Sequence, residues 1–214
     1  TNTDITIENI QLQNHNYQIF FCKKSRLYTD RIHDTSIIKN NKVDSTLLKN
    51  LVELVNEYNN KYNFVIVTSG AVGLGASKLN YESRPKSLKK LQVASAVGQI
   101  ELINEYEKVF NKGEMNIAQV LITKNLIDDR EQFVNTTQAL NELLSQGIIP
   151  VINENDVVAT EELKFGDNDR LSAIVSIIVD AERLIIVTNK EGLYNFNPDT
   201  VSYTHLTLPT SSRV

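Results

Sequence analysis

Two clusters of acid and amide side chains carry the most chemistry in this sequence: Asn153-Glu154-Asn155-Asp156 and, about ten residues on, Gly166-Asp167-Asn168-Asp169. The first stands at the end of the apolar run PVI and the second opens a helical pattern, so they bracket one loop. In an open α/β sheet, ligands bind in the crevice beyond the carboxyl ends of the strands, and polar residues placed there form a pocket for a small substrate. A third candidate is Ser69-Gly70-Ala71-Val72-Gly73-Leu74-Gly75, where a glycine-rich turn between a strand and a helix aims backbone N–H groups at an anion. Asp, Asn and Gly are also turn and helix-cap residues, and Asp167 reads equally as an N-cap. A turn does not need a Glu between two Asn, however, and the pair of clusters favours a pocket. The run from Asn153 lacks the sixth-position glycine of an EF-hand calcium loop, and the glycine turn matches neither the Walker nor the dinucleotide pattern.

The elements that must hold these residues are legible from periodicity. Phe64–Thr68 (FVIVT) is a continuous apolar run, as in a strand buried on both faces of a parallel sheet, and it leads straight into Ser69. Ile148–Ile152 feeds the first acid-amide cluster. Further strands are predicted at Tyr17–Cys22, Asn116–Thr123 and Arg183–Thr188. Helical spacing of apolar residues covers Val43–Tyr58, Leu91–Phe110, a segment starting at Asp128-Asp129 and ending before Gly147, and Leu171–Val179. Residues 76–88, with Pro85, read as a polar, mobile connection, and Val157–Phe165 as a small hairpin over the loop. Strand and helix alternate with short links, which predicts βαβ units and a parallel sheet covered on both faces. Ser69-Gly70, Asn153–Asp156 and Thr188-Asn189 then share one sheet edge.

Composition narrows the function classes. Hydrophobic residues make up 41% and charged residues 22% of the 214, which is a globular balance, and the length suits one α/β domain. A formal net charge of −4 leaves no basic footprint for nucleic acid. The single cysteine, Cys22, and three scattered histidines argue against a disulfide and a zinc site, and fit a cytoplasmic setting. No apolar run reaches the length of a membrane span.

The segments VTSGAV (67–72), ASAVGQ (94–99), PVINENDVVAT (150–160), GDNDRLSA (166–173) and VTNKEGLY (187–194) resemble, in order and spacing, the bacterial glutamate 5-kinases of the amino-acid kinase family. The resemblance implies a three-layer α/β sandwich with an open, mainly parallel sheet, like that of acetylglutamate kinases. It implies transfer of the ATP γ-phosphoryl group to the side-chain carboxylate of L-glutamate, the first step of proline biosynthesis, with Mg²⁺ arriving on ATP and no protein metal ligands. By position, Ser69, Asp156 and Asn168 match the glutamate-binding residues. A carboxylate at Asp156 would pair with the substrate's ammonium, and Ser69 and Asn168 would supply hydrogen bonds. Asp169 matches the acid that orients catalytic lysines, Gly70 the backbone approach to the transferring phosphoryl group, and Thr188 and Asn189 the nucleotide contacts. Self-association and feedback inhibition by proline are implied as well.

Two departures qualify that likeness. Where the family has a Lys-x-Gly-Ser/Thr element for the ATP phosphates, ungapped alignment places Cys22, Lys23, Lys24 and Ser25, so that Lys23 reaches the role only by a one-residue shift. The tail SYTHLTLPTSSRV does not resemble the family's next ATP-binding segment. The organisation expected is therefore a poorly defined segment 1–16, a kinase domain 17–199 and a non-native tail 200–214, with weak or absent turnover. Another carboxylate kinase, such as an acetylglutamate kinase or aspartokinase, and a non-catalytic amino-acid-binding module are the alternatives.

Overall fold

The computed structural model describes residues 27–32, 38–39, 42–43, 45–158 and 168–186. All of them lie in the unit formed by residues 16–187, while the unit formed by residues 1–15 and 188–214 lies outside the described residues.

The chain passes through β1 (Leu27–Ile32), a short antiparallel pair β2 (Ile38–Lys39) and β3 (Lys42–Val43), α1 (Ser45–Tyr58) and β4 (Phe64–Thr68). It continues through α2 (Ala71–Lys78), α3 (Leu88–Phe110), β5 (Ile117–Ile122), α4 (Arg130–Ser145), β6 (Ile149–Glu154), α5 (Asn168–Ile178) and β7 (Ala181–Ile186). Among the described residues, five strands form one sheet in the order β5-β6-β4-β1-β7, and every neighbouring pair is parallel.

Strand β4 occupies the centre because its whole length is buried and every residue before Thr68 is apolar. Its side chains alternate between the two faces. Val65 and Val67, with Ile152 of β6, pack against Leu140 and Leu144 of α4 and Leu171, Ile174, Val175 and Ile178 of α5. Each fully buried aliphatic side chain there contributes about 1.5–3 kcal/mol. On the opposite face, the buried Tyr106 of α3 donates its hydroxyl to Thr68 Oγ1 at 3.0 Å, which ties the last residue of β4 to the second helix layer.

That second layer is closed by a backbone contact. Ala71 and Gly75 lie one turn apart on α2, and Ala94 and Gly98 one turn apart on α3, so each helix presents a small-residue strip. A Cβ placed on Gly75 would stand 1.7 Å from the carbonyl oxygen of Ala94, and one on Gly98 would stand 1.8 Å from that of Ala71. The helices touch main chain to main chain, and no larger residue fits at either glycine.

Several expectations are corrected here. Residues 76–78 are helical, because α2 runs to Lys78 before the connection begins. The helix expected from Asp128 begins at Arg130: Asp129 is its N-cap, with Oδ1 accepting the N–H groups of Glu131 and Gln132 at 3.0 Å each. Gly147 follows that helix with φ 71°, the left-handed conformation that closes helix ends at low cost for glycine. Strand β6 extends through Asn153 and Glu154, so the first acid-amide cluster begins inside the strand. Asp156–Val158 forms a 3₁₀ turn and not the start of a hairpin; residues 159–165 of that expected hairpin lie outside the described residues, as does the strand expected at Tyr17–Cys22. The strand expected at Arg183–Thr188 begins two residues earlier, at Ala181, and is described through Ile186; residues 187 and 188 lie outside the described residues.

Candidate functional site

A pocket opens at the carboxyl ends of β4 and β6, where the chain leaves the sheet for α2 and for the 3₁₀ turn. Its walls include Ser69, Gly70, Ala71 and Val72 from the β4–α2 junction, and Asn153, Glu154 and Asp156 from β6 and its exit. Asn168 from the start of α5 and Arg84 from the link between α2 and α3 complete the described lining. Gly70 has φ 111° and ψ −6°, a left-handed conformation that side chains resist, and directly precedes α2. The main chain therefore turns sharply at the pocket wall and aims the first-turn N–H groups of α2 outward, the geometry that receives an anion.

The described cluster residues that line the pocket are not surface turns. Asn153, Glu154, Asp156, Asn168 and Ser69 are all buried, the most exposed at 8%. Burying so many polar groups is costly unless they are bonded, and α3 supplies much of the bonding. Ser95 Oγ donates to Asp156 Oδ2 at 2.7 Å, and Asn153 Nδ2 donates to Gln99 Oε1 at 2.8 Å. Asn153 Oδ1 accepts from the Glu154 N–H at 2.8 Å and from Asn168 Nδ2 at 3.3 Å. Asn168 Nδ2 also reaches the Thr68 carbonyl at 2.8 Å, and Ser172 Oγ donates to the Asn168 carbonyl at 2.8 Å. Three elements far apart in sequence are thus locked together at one sheet edge. Two buried carboxylates and one guanidinium are among the described lining residues.

The amino acid kinase family model matches residues 34–208. This chain belongs to the amino acid kinase family. Among curated members it is 47% identical over 167 residues to a protein named glutamate 5-kinase from Prochlorococcus marinus (strain MIT 9301), covering 77% of this chain and 46% of that one. It is 39% identical over 178 residues to the glutamate 5-kinase of Nitrosococcus oceani, covering 82% of this chain and 48% of the relative. It is 47% identical over 141 residues to that of Haemophilus influenzae (strain PittEE), covering 66% and 38%. The chain spans about half the length of the curated relatives it matches.

Within this kinase-family fold, Ser69, Gly70, Asp156 and Asn168, singled out from the sequence, meet around one pocket. The backbone of Asp169 lies in the first turn of α5, beside Asn168. Lys23, Thr188 and Asn189 lie outside the described residues. Ser95 and Gln99 lie within the segment ASAVGQ (94–99) but carry no role expected from the sequence, and neither does Arg84. Ser95 and Gln99 interrupt the buried stripe Ala94, Gly98, Leu102, Tyr106 of α3, and polar side chains on the apolar face of a helix were the available signal. No group of three or more His, Cys, Asp or Glu side chains among the described residues is arranged to hold a metal ion. None of the described helices is long and apolar enough to cross a membrane.

Proposed function

We propose that this pocket binds L-glutamate, and that the chain is the glutamate-binding part of a kinase that moves the γ-phosphoryl group of ATP onto the substrate's side-chain carboxylate. A carboxylate oxygen forms a bond to the γ-phosphorus while the bond from that phosphorus to the β–γ bridging oxygen breaks. ADP departs, and L-glutamyl 5-phosphate, the first intermediate of proline biosynthesis, remains. The observation that carries this reading is the convergence of Ser69, Gly70, Asp156 and Asn168 at the ends of β4 and β6, in a chain of the amino acid kinase family.

The roles follow from chemistry. The buried carboxylate of Asp156 pairs with the α-ammonium; Ser69 and Asn168 fix the orientation by hydrogen bonds. Phosphoryl transfer depends on positioning and on stabilising charge at the transferring group. The N–H groups at the start of α2 serve that need, since Gly70 lets a phosphoryl oxygen come close to the main chain. Asp169 orients a catalytic lysine, and Thr188, Asn189 and Lys23 form the nucleotide side, with Mg²⁺ carried in on ATP. A cytoplasmic setting, self-association and inhibition by proline complete the reading.

With Cys22-Lys23-Lys24-Ser25 standing where relatives of this type place Lys-x-Gly-Ser/Thr, turnover is expected to be weak. Loss of one cationic donor costs about 3–4 kcal/mol, or roughly 10²–10³ in rate. Calorimetry with L-glutamate and a coupled ADP-release assay with ATP-Mg²⁺ test the two halves separately. L-Glutamate should bind to the wild-type chain, and Asp156→Asn should weaken that binding by about 100-fold, the loss of a charge-assisted contact. Absence of binding overturns the substrate assignment; turnover as fast as an ordinary metabolic kinase overturns the expectation of weak activity.

A further inference from the structure

We propose that Ser95 and Gln99, one turn apart on α3, set the hydrogen-bond polarity of the pocket so that it offers acceptors to the substrate's nitrogen and thereby selects a free α-amino group over an acylated one. The inference rests on the glutamate reading above and deepens it. Both are positioning residues, acting through Asp156 and through Asn153 and Asn168.

The two ends of an amide side chain have nearly the same shape, but here two main-chain groups fix which end points where. The N–H of Glu154 can only donate, and it reaches Asn153 Oδ1 at 2.8 Å. The amino end of Asn153 therefore faces the other way, into Gln99 Oε1 at 2.8 Å. The carbonyl of Thr68 can only accept, and it receives Asn168 Nδ2 at 2.8 Å. The second proton on that nitrogen is directed to Asn153 Oδ1 at 3.3 Å. Both protons of the Asn168 amide are thus engaged, and what its side chain has left to give a ligand is the lone pairs of Oδ1. Gln99 anchors this chain at its far end: without an acceptor at Oε1, the amino group of Asn153 is buried unpaired, and the reversed amide becomes competitive.

Ser95 acts on the other acceptor. Its hydroxyl donates to Asp156 Oδ2 at 2.7 Å within the buried interior. That bond ties one carboxylate oxygen to α3, which limits the rotation of the group. The result is a carboxylate and an amide oxygen on one wall, with no amide proton to spare between them. An ammonium group brings three protons and a positive charge to such a wall. An N-acylated nitrogen brings one proton and no charge to the same acceptors. Sites built around a specific hydrogen-bonded group reject analogues lacking it strongly.

The experiment is calorimetric titration of the chain with L-glutamate and, separately, with N-acetyl-L-glutamate, for wild type, Ser95→Ala and Gln99→Leu, with Ser95→Thr and Gln99→Glu as variants that keep the hydroxyl and the acceptor. Wild type should bind N-acetyl-L-glutamate at least about 100-fold more weakly than L-glutamate. Ser95→Ala and Gln99→Leu should each weaken L-glutamate about tenfold, the size of one hydrogen bond at a charged site, and narrow the ratio between the two ligands. Ser95→Thr and Gln99→Glu should stay within about threefold of wild type with the ratio kept. A purely structural role would lower both affinities together and leave the ratio unmoved, which would overturn the inference. Unchanged L-glutamate binding in Ser95→Ala and Gln99→Leu also overturns it, while the glutamate reading stands. Wild type binding the two ligands alike overturns it too, and wild type binding neither overturns the glutamate reading and the inference together. If Ser95→Ala or Gln99→Leu does not fold, Ser95→Thr and Gln99→Glu decide: a retained ratio supports the inference, and a lost ratio overturns it.

Discussion

The two helix layers meet the sheet by different means. On one face, α4 and α5 pack through Leu140, Leu144, Leu171, Ile174 and Val175, a set of aliphatic side chains that interdigitate with Val65, Val67 and Ile152. On the other, α2 and α3 meet through main chain at Gly75 and Gly98, and α3 sends Ser95 and Gln99 into the pocket's hydrogen-bond network. The first layer is held by contacts that many residue combinations could supply. In the second, a hydrogen-bond network fixes polar groups, and the close approach of two backbones sets the distance between the Ser69-Gly70 turn and Ser95. Stability and site geometry are separable on one face and joined on the other.

One carbon atom on each face sharpens that contrast. Gly98→Ala adds a methyl group where the nearest atom is a carbonyl oxygen at 1.8 Å. Ordinary overpacking costs about 1–3 kcal/mol, and a main-chain obstacle cannot rotate away, so the expected loss is about 3 kcal/mol or more, accompanied by loss of L-glutamate binding. Denaturant unfolding and calorimetry would check both, and a stable variant with intact binding would break the comparison. Ile174→Val removes one carbon from the α5 layer, where Ile174 is buried. The expected cost is about 1 kcal/mol by denaturant midpoint, with L-glutamate affinity unchanged. A change in affinity would show that the aliphatic layer also shapes the pocket.

The smallest effect lies on the rim of the same α2–α3 contact. Lys78 Nζ and Glu101 Oε2 stand 2.8 Å apart in solvent, and the ammonium beside it holds the Glu101 carboxyl below its usual range. A carboxyl lowered in the folded state adds stability above its unfolded-state pKa, and that contribution disappears as pH falls through the lowered value. Lys78→Ala should therefore cost about 0.5 kcal/mol or less at neutral pH and nothing in strong acid. A large neutral-pH effect in urea titrations would mean that the helix crossing depends on its surface charges and not on its glycines.

The sequence disclosed most where one physical requirement dominated. Phe64–Thr68 was legible residue for residue because a strand buried on both faces favours a continuous apolar and β-branched run. Gly147 was legible because the chain needs a left-handed residue there. Strand β1 was not, since LYTDRI shows neither alternation nor an apolar run, and its place in the sheet comes from pairing with β4 and β7. The site was legible in part: Ser69, Gly70, Asp156 and Asn168 follow strands or open helices, where position in sequence implies position at the sheet edge. Ser95 and Gln99 belong to the middle of a long helix, and their partners are 61 and 54 residues away. Such contacts depend on how helices cross, which local patterns do not encode. Residues 153 and 154 read as a loop because amides and acids are poor strand formers, yet pairing with β5 carries them inside β6.

The strand order has a consequence for synthesis. Strand β1 is the first of the five to emerge from a ribosome, yet one of its neighbours, β7, is the last. Until residues 181–186 have been translated, the side of β1 that β7 covers has no ladder partner, the kind of surface that recruits stray strands. Pairing of β1 with β7 is thus a late event in the life of each new molecule, timed by elongation and not by local propensity.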